Sequence, residues 1–156
     1  MLKIISMKKF ILIVATALFF VCCNNSSKEP EESKEDTVAI EYSWESTLND
    51  SGKLVLRKTE GAPDTLTAAA ITDFLNKRYP NVQLKLIRTS GDTVYMSIPE
   101  ANYLTQQMGS TGPQLYFADV VYNLTEVPGI RYVNFDFEEG DHASPATLNR
   151  ENFKDE

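Results

Sequence analysis

Residues 115–138, LYFADVVYNLTEVPGIRYVNFDFE, change hydrophobic period at a single Pro-Gly, and that change restricts the possible folds more than any other feature of the chain. Before the break, Phe117, Ala118, Val121, Tyr122 and Leu124 form one apolar stripe at helical spacing, while Asp119, Asn123 and Glu126 fall on the face expected to meet water. After Pro128-Gly129, Val133, Phe135 and Phe137 alternate with Asn134, Asp136 and Glu138, the two-residue period of a half-buried strand. A helix must therefore turn sharply into a strand, and both must bury one side against the same core.

The rest of the chain supplies compatible pieces. K53-LVLRK-58 reads as a short strand. Asp64 or Thr65 can cap a helix whose inner side is Leu66, Ala70, Ile71, Phe74 and Leu75, ending at Tyr79-Pro80. VQLKLIR (82–88) and TVYMSIP (93–99) alternate on either side of a Ser-Gly-Asp turn, a hairpin with Val82, Leu84, Leu86, Val94, Met96 and Ile98 facing one way. Pro113 suits the first position of the second helix. The expected order is β-α-β-β-α-β, an α+β two-layer sandwich with two helices on one face of a four-stranded sheet. The uncovered face, carrying Gln83, Lys85, Tyr95, Tyr132, Asn134 and Asp136 among other polar residues, is the candidate interaction surface.

The N-terminal end constrains location. Lys3, Lys8 and Lys9 precede about a dozen apolar residues and then Cys22-Cys23, the layout of a secretory signal, with Met7 as an alternative start. The signal resembles that of bacterial lipoproteins, in which the Cys after the cleavage site is acylated; Cys23, preceded by the smaller residue, is the expected lipidation site and Cys22 the alternative. A single membrane span competes with this reading, but the apolar run is shorter than the ~20 residues such a span needs. These are the only cysteines, so the mature chain has no intramolecular disulfide or thiolate metal site. The expected organisation is a signal at 1–22, an acidic tether at 23–37, one domain at 38–150 and a polar tail at 151–156.

Loss of residues 1–22 removes three Lys and no acid, leaving 12 basic against 22 acidic residues, a balance of −10. Such a surface repels phosphate backbones, so no nucleic acid is expected as partner. The single histidine, His142, lies in the polar run DHASP and is read as a loop residue rather than a triad member. Gly109-Ser110-Thr111-Gly112 lacks the Lys and spacing of a phosphate loop and is read as a helix-capping segment. Phe117, Tyr122, Phe135 and Phe137 are read as core. Trp44, in EYSWEST, either packs as an extra strand or stays available to a partner.

The run from Leu115 to Phe135 resembles the end of the GerMN domain, the sporulation and spore-germination module, whose members show a helix closing in a "tLtelpgV" phrase, then a strand and an "xxdG" turn. Here the corresponding residues are NLTEVPGI, RYVNFDF and Gly140, the last following Glu138-Glu139 in place of the family's Asp-Gly. TVYMSIP and SPATLNR are similar to the segments before and after. The likeness spans residues 50–150 and is specific in its last third. It implies a relative of ring-building assembly modules with no established catalytic constellation. The expectation is a non-catalytic envelope lipoprotein, without cofactor or metal, held to the membrane by a lipid anchor and binding an envelope protein or itself. The alternative is a small envelope hydrolase or carrier of a glycan or peptide, for which Asp119, Glu126 and Asp136 would have to converge on one pocket.

Overall fold

The computed structural model describes residues 41–154, so Cys22, Cys23 and the tether to residue 37 lie outside the described residues. The fold is α+β. Strands β1 (Tyr42–Leu48) and β2 (Leu54–Glu60) precede helix α1 (Ala68–Arg78), β3 (Lys85–Ser90), β4 (Thr93–Ile98), α2 (Gly112–Leu124), β5 (Tyr132–Phe137) and β6 (Ala146–Leu148). β3 to β6 form one four-stranded sheet in the order β3-β4-β5-β6, with β4 and β5 parallel and the outer pairs antiparallel.

The composition of that sheet differs from the expected one. The strand at 53–58 does not join it; extended to Leu54–Glu60, it pairs with Tyr42–Leu48 as a separate two-stranded hairpin. The turn between them explains the choice. Asn49 Oδ1 accepts the N–H groups of Ser51 and Lys53 at 2.9 Å each, and Gly52 adopts a φ of 75°, so the two strands close on each other locally before either can reach the sheet. The fourth place in the sheet goes to β6. The order is therefore β-β-α-β-β-α-β-β, the expected series extended by one strand at each end.

α1 starts later than expected: its cap is Thr67, whose hydroxyl accepts the Ala70 N–H at 3.1 Å, rather than Asp64 or Thr65. Ile71 and Leu75 are buried, and Leu66 and Phe74 pack at the rim of the core. β3 begins at Lys85, yet Val82 and Leu84 ahead of it are buried as their alternation implied. β3 and β4 are joined by Gly91-Asp92, with Gly91 at a φ of 60°.

The period change after α2 is a tight turn. The Ile130 N–H donates to the Val127 carbonyl at 3.0 Å across Pro128 and Gly129, and Gly129 has a φ of 86°, the arrangement of a type II turn. The Arg131 and Tyr132 N–H groups then donate to Asp92 O, delivering β5 alongside β4 with Thr93 opposite Tyr132 and Ile98 opposite Phe137. Val94, Met96 and Ile98 thus stand beside Val133, Phe135 and Phe137 under α2, where Phe117 meets the rings of Phe135 at 4.8 Å and Phe137 at 5.9 Å.

One boundary moves. Residues 150–153 form a 3-10 turn that buries Phe153 against the core, near Tyr122, so the polar tail does not begin at 151. Gly140, expected as a turn residue, opens a turn closed by its N–H donating to Ala143 O at 3.0 Å, and it also marks a close approach: a Cβ there would lie 2.6 Å from Cβ of Thr105, within the π-helical turn Tyr103–Gln107.

Candidate functional site

Helix α2 is buried on two sides. One side covers the sheet; the other receives β1, which makes the helix the middle tier between sheet and hairpin. The face carrying Asp119, Asn123 and Glu126, expected to meet water, is the one that holds the hairpin. Asp119 is fully buried and Asn123 is 5% exposed.

Each of these side chains serves a group on β1. The Asn123 carboxamide accepts the Trp44 N–H through Oδ1 and donates to the Trp44 carbonyl through Nδ2, both at 2.9 Å. Asp119 accepts the Ser46 N–H through Oδ1, and the Ser46 hydroxyl donates to Leu115 O at 2.8 Å. Glu126 accepts the Trp44 indole N–H at 2.8 Å and an Arg150 N–H at 2.6 Å. β2 occupies one edge of β1, and helix side chains provide for the polar groups of Trp44 and Ser46 that a third strand would otherwise pair.

Three further residues complete the seam. Arg78 donates to Trp44 O at 3.1 Å and forms an ion pair with Glu45 at 2.8 Å. The Tyr79 hydroxyl donates to Asp119 Oδ2. Arg150 also donates to Thr125 Oγ1 and Tyr122 O, and its guanidinium lies 4.9 Å from the Tyr122 ring and 5.6 Å from that of Trp44. Trp44 therefore packs as part of an extra strand, edge-on to Tyr122 at 5.2 Å. Arg78, Tyr79 and Arg150 were not singled out by pattern, because each reaches its partners across the chain and none stands out within its own segment.

The electrostatics of the two seam carboxylates oppose each other. Burial pushes the Asp119 pKa up, against hydrogen bonds from Ser46 and Tyr79 and the charge of Arg78. Burial likewise raises the Tyr79 hydroxyl, reinforced by Asp119, and the Tyr116 hydroxyl beside it. At Glu126 burial also acts upward, but the Arg150 and Trp44 hydrogen bonds and the charges of Arg150 and Lys58 outweigh it, and its pKa falls below the ordinary carboxylate value.

The opposite sheet face stays open. Across the strands, Lys85, Ser97 and Asp136 form one row, Arg88, Tyr95, Asn134 and Thr147 a second, and Ser90, Thr93 and Tyr132 a third. The Arg88 guanidinium stacks 3.5 Å above the Tyr95 ring, and Asn134 donates to Thr147 at 2.8 Å. Ile87 is the extra residue of a bulge in β3 and stands 53% exposed. Together with Asn134, Asp136 and Pro145 these groups line a hollow of about 500 Å³. A smaller one, about 260 Å³, lies beside Tyr132, Arg131 and Arg150.

Of the expected surface residues, Tyr95, Asn134 and Asp136 line the larger hollow, Lys85 lies in the adjoining row and Tyr132 borders the smaller one. Gln83 is exposed but lies ahead of β3 and lines neither hollow; its Nε2 donates to the Asn76, Tyr79 and Pro80 carbonyls at the end of α1. Arg88 belongs to this face although plain alternation from Lys85 would turn it inward, since the bulge shifts the phase there. Asp119 and Glu126 hold the hairpin while Asp136 lies on the far sheet face, so the three acids do not converge. His142 is half-buried, its backbone N–H donating to Thr105 O at 3.0 Å. Among the described residues no group of three or more His, Cys, Asp or Glu is placed to hold a metal ion. Comparison with protein-family models, with curated proteins and with solved structures gives no match for this chain.

Proposed function

We propose that the chain is an exported lipoprotein of the cell envelope, acylated at Cys23, whose folded part is a non-catalytic module binding an envelope protein through the open sheet face. The observation that carries this reading is the Arg88-Tyr95 stack beside Asn134, Asp136 and the exposed Ile87. An oriented guanidinium, an aromatic ring, an amide, a carboxylate and an apolar side chain on a rigid sheet suit a polypeptide surface, which offers carboxylates, backbone groups and apolar side chains together. The basic n-region, apolar run and cysteine at residues 3–23 support export and anchoring. The GerMN resemblance, most specific at the helix-strand junction of residues 115–135, supports an assembly role.

The competing reading, a hydrolase or carrier acting on a glycan or peptide, loses its acidic constellation because Asp119 and Glu126 are engaged with β1 and Arg150. The test is to tag the C-terminus, solubilise membranes gently and determine the mass and composition of the eluted particle for wild type and for Arg88→Glu with Tyr95→Ala. A defined protein companion present in the first and lost from the second is expected. A companion retained by the variant, or a lone wild-type monomer, would overturn the reading.

A further inference from the structure

We infer that the polar seam of α2 is a docking site for an extended strand, and that the hairpin of a second copy of this chain can occupy it in place of the chain's own. The hairpin at 42–60 forms a sheet of its own and is held to the rest mainly through β1 against α2. A two-stranded hairpin is at best marginally stable alone, so it needs such a host. What the host reads is specific. Asn123 takes both backbone groups of Trp44, Asp119 takes the Ser46 N–H, Leu115 O takes the Ser46 hydroxyl and Glu126 takes the indole. Every copy of this chain carries that Ser-Trp-Glu-Ser segment, so complementarity in trans equals complementarity in cis.

The connection permits the exchange. Between Glu60 and Ala68 the chain runs through Gly61, with a φ of 88°, and Pro63, and these seven residues can extend over at most ~24 Å. Because the docked contact is the same in both arrangements, the balance depends on this hinge and on how close two copies are held. The second observation is apolar surface. Of the four large hydrophobic residues exposed among the described residues, three are on the hairpin: Tyr42, Leu48 and Val55. Two crossing hairpins can bury surface that the closed monomer leaves in water. The lipid anchor of the proposed function would add to this by holding neighbouring hairpins in one membrane plane; the docking contact itself does not depend on Arg88 or Tyr95.

The experiment pairs two defective full-length chains, differently tagged and co-expressed. Asn123→Ala keeps a native hairpin and a damaged seam; Trp44→Ala keeps a native seam and a damaged hairpin. Together they can form one intact docking contact, and mixed pairs are expected to co-purify about tenfold above either variant paired with itself. Mixed pairs no more abundant than like pairs would overturn the inference. If either substitution prevents folding, hinge length decides. Removing Ala62–Asp64 should shift the full-length chain in detergent towards dimers or larger species, and inserting three Gly/Ser residues there should return it to monomer. Monomers from both hinge variants would also overturn it. Arg88 and Tyr95 are intact in every arm, so loss of an envelope companion and loss of hairpin exchange are read separately.

Discussion

The carboxamide of Asn123 holds Trp44 by both of its backbone groups, 79 positions away in the chain, and so occupies the place of a neighbouring strand at the free edge of β1. Amide for amide, this is the pairing a sheet would make. The helix therefore protects an edge strand without any strand being added.

Removing that carboxamide should be costly for its size. Asn123→Ala leaves the part-buried Trp44 N–H without its partner and the Trp44 carbonyl with Arg78 alone, and a loss of about 2 kcal/mol is expected. Urea unfolding followed by Trp44 fluorescence measures it. A change below about 0.5 kcal/mol would mean that water or another side chain takes over the Trp44 edge.

The two seam carboxylates should give stability an acid-side maximum. The raised pKa of Asp119 means that its neutral form is favoured in the fold, so its contribution is complete below the ordinary carboxyl range and is lost as pH rises through the raised value. The lowered pKa of Glu126 works in the other direction: its contribution is present above the ordinary glutamate value and is lost as pH falls through the lowered one. Asp119→Asn should flatten the neutral limb of a stability-against-pH curve, and Glu126→Gln the acid limb. Unchanged limbs in the two variants would show that neither carboxylate governs the pH response.

Gly129 and Gly140 should fail differently when substituted. Gly129 needs a positive φ and has open space around it, so Gly129→Asn should be tolerated better than Gly129→Ala, by some tenths of a kcal/mol. Gly140 faces Thr105 and Gln106 at 2.6 Å, so there even Ala overpacks, at about 1–3 kcal/mol, and Asn is worse. Thermal unfolding of the four variants checks the contrast, and equal losses for Ala and Asn at both positions would contradict it.

Phe153 should be indispensable despite its place near the chain end. Phe153→Ala removes a ring that is 7% exposed and lies 6.4 Å from that of Tyr122, and about 3 kcal/mol of destabilisation is expected. A loss below about 1 kcal/mol in denaturant unfolding would return residues 151–153 to the status of a solvated tail.

Much of the core was legible from period alone. Val94, Met96 and Ile98, and Val133, Phe135 and Phe137, alternate in sequence and line the same buried face in the fold. The Pro128-Gly129 turn was legible too, because few other residue pairs provide both φ values. The Asn49–Lys53 turn carried a comparable signal in Asn-Asp-Ser-Gly. The hairpin did not follow from it, because the segment around Trp44 was open between an extra strand and a surface available to a partner. On the open face, Tyr95, Asn134 and Asp136 followed from the outward phase of the strands. Arg88 did not, since one bulge reverses the phase of β3 ahead of it.

The sequence by itself determined what its short-range physics can determine: the helix or strand character of its strongly periodic segments, the sharp turn at Pro128-Gly129, and the apolar residues of those segments that must share a core. It could not determine what covers a polar helix face. Asp119, Asn123 and Glu126 carry the pattern of a solvated stripe, and nothing within a few residues of them opposes that reading. Tertiary structure reversed it because the edge of β1, more than 70 positions earlier, presents backbone groups that must be paired once buried, and the side chains of α2 lie at the spacing that pairs them. Hydrophobic period is a local property, whereas the satisfaction of buried polar groups belongs to the whole fold.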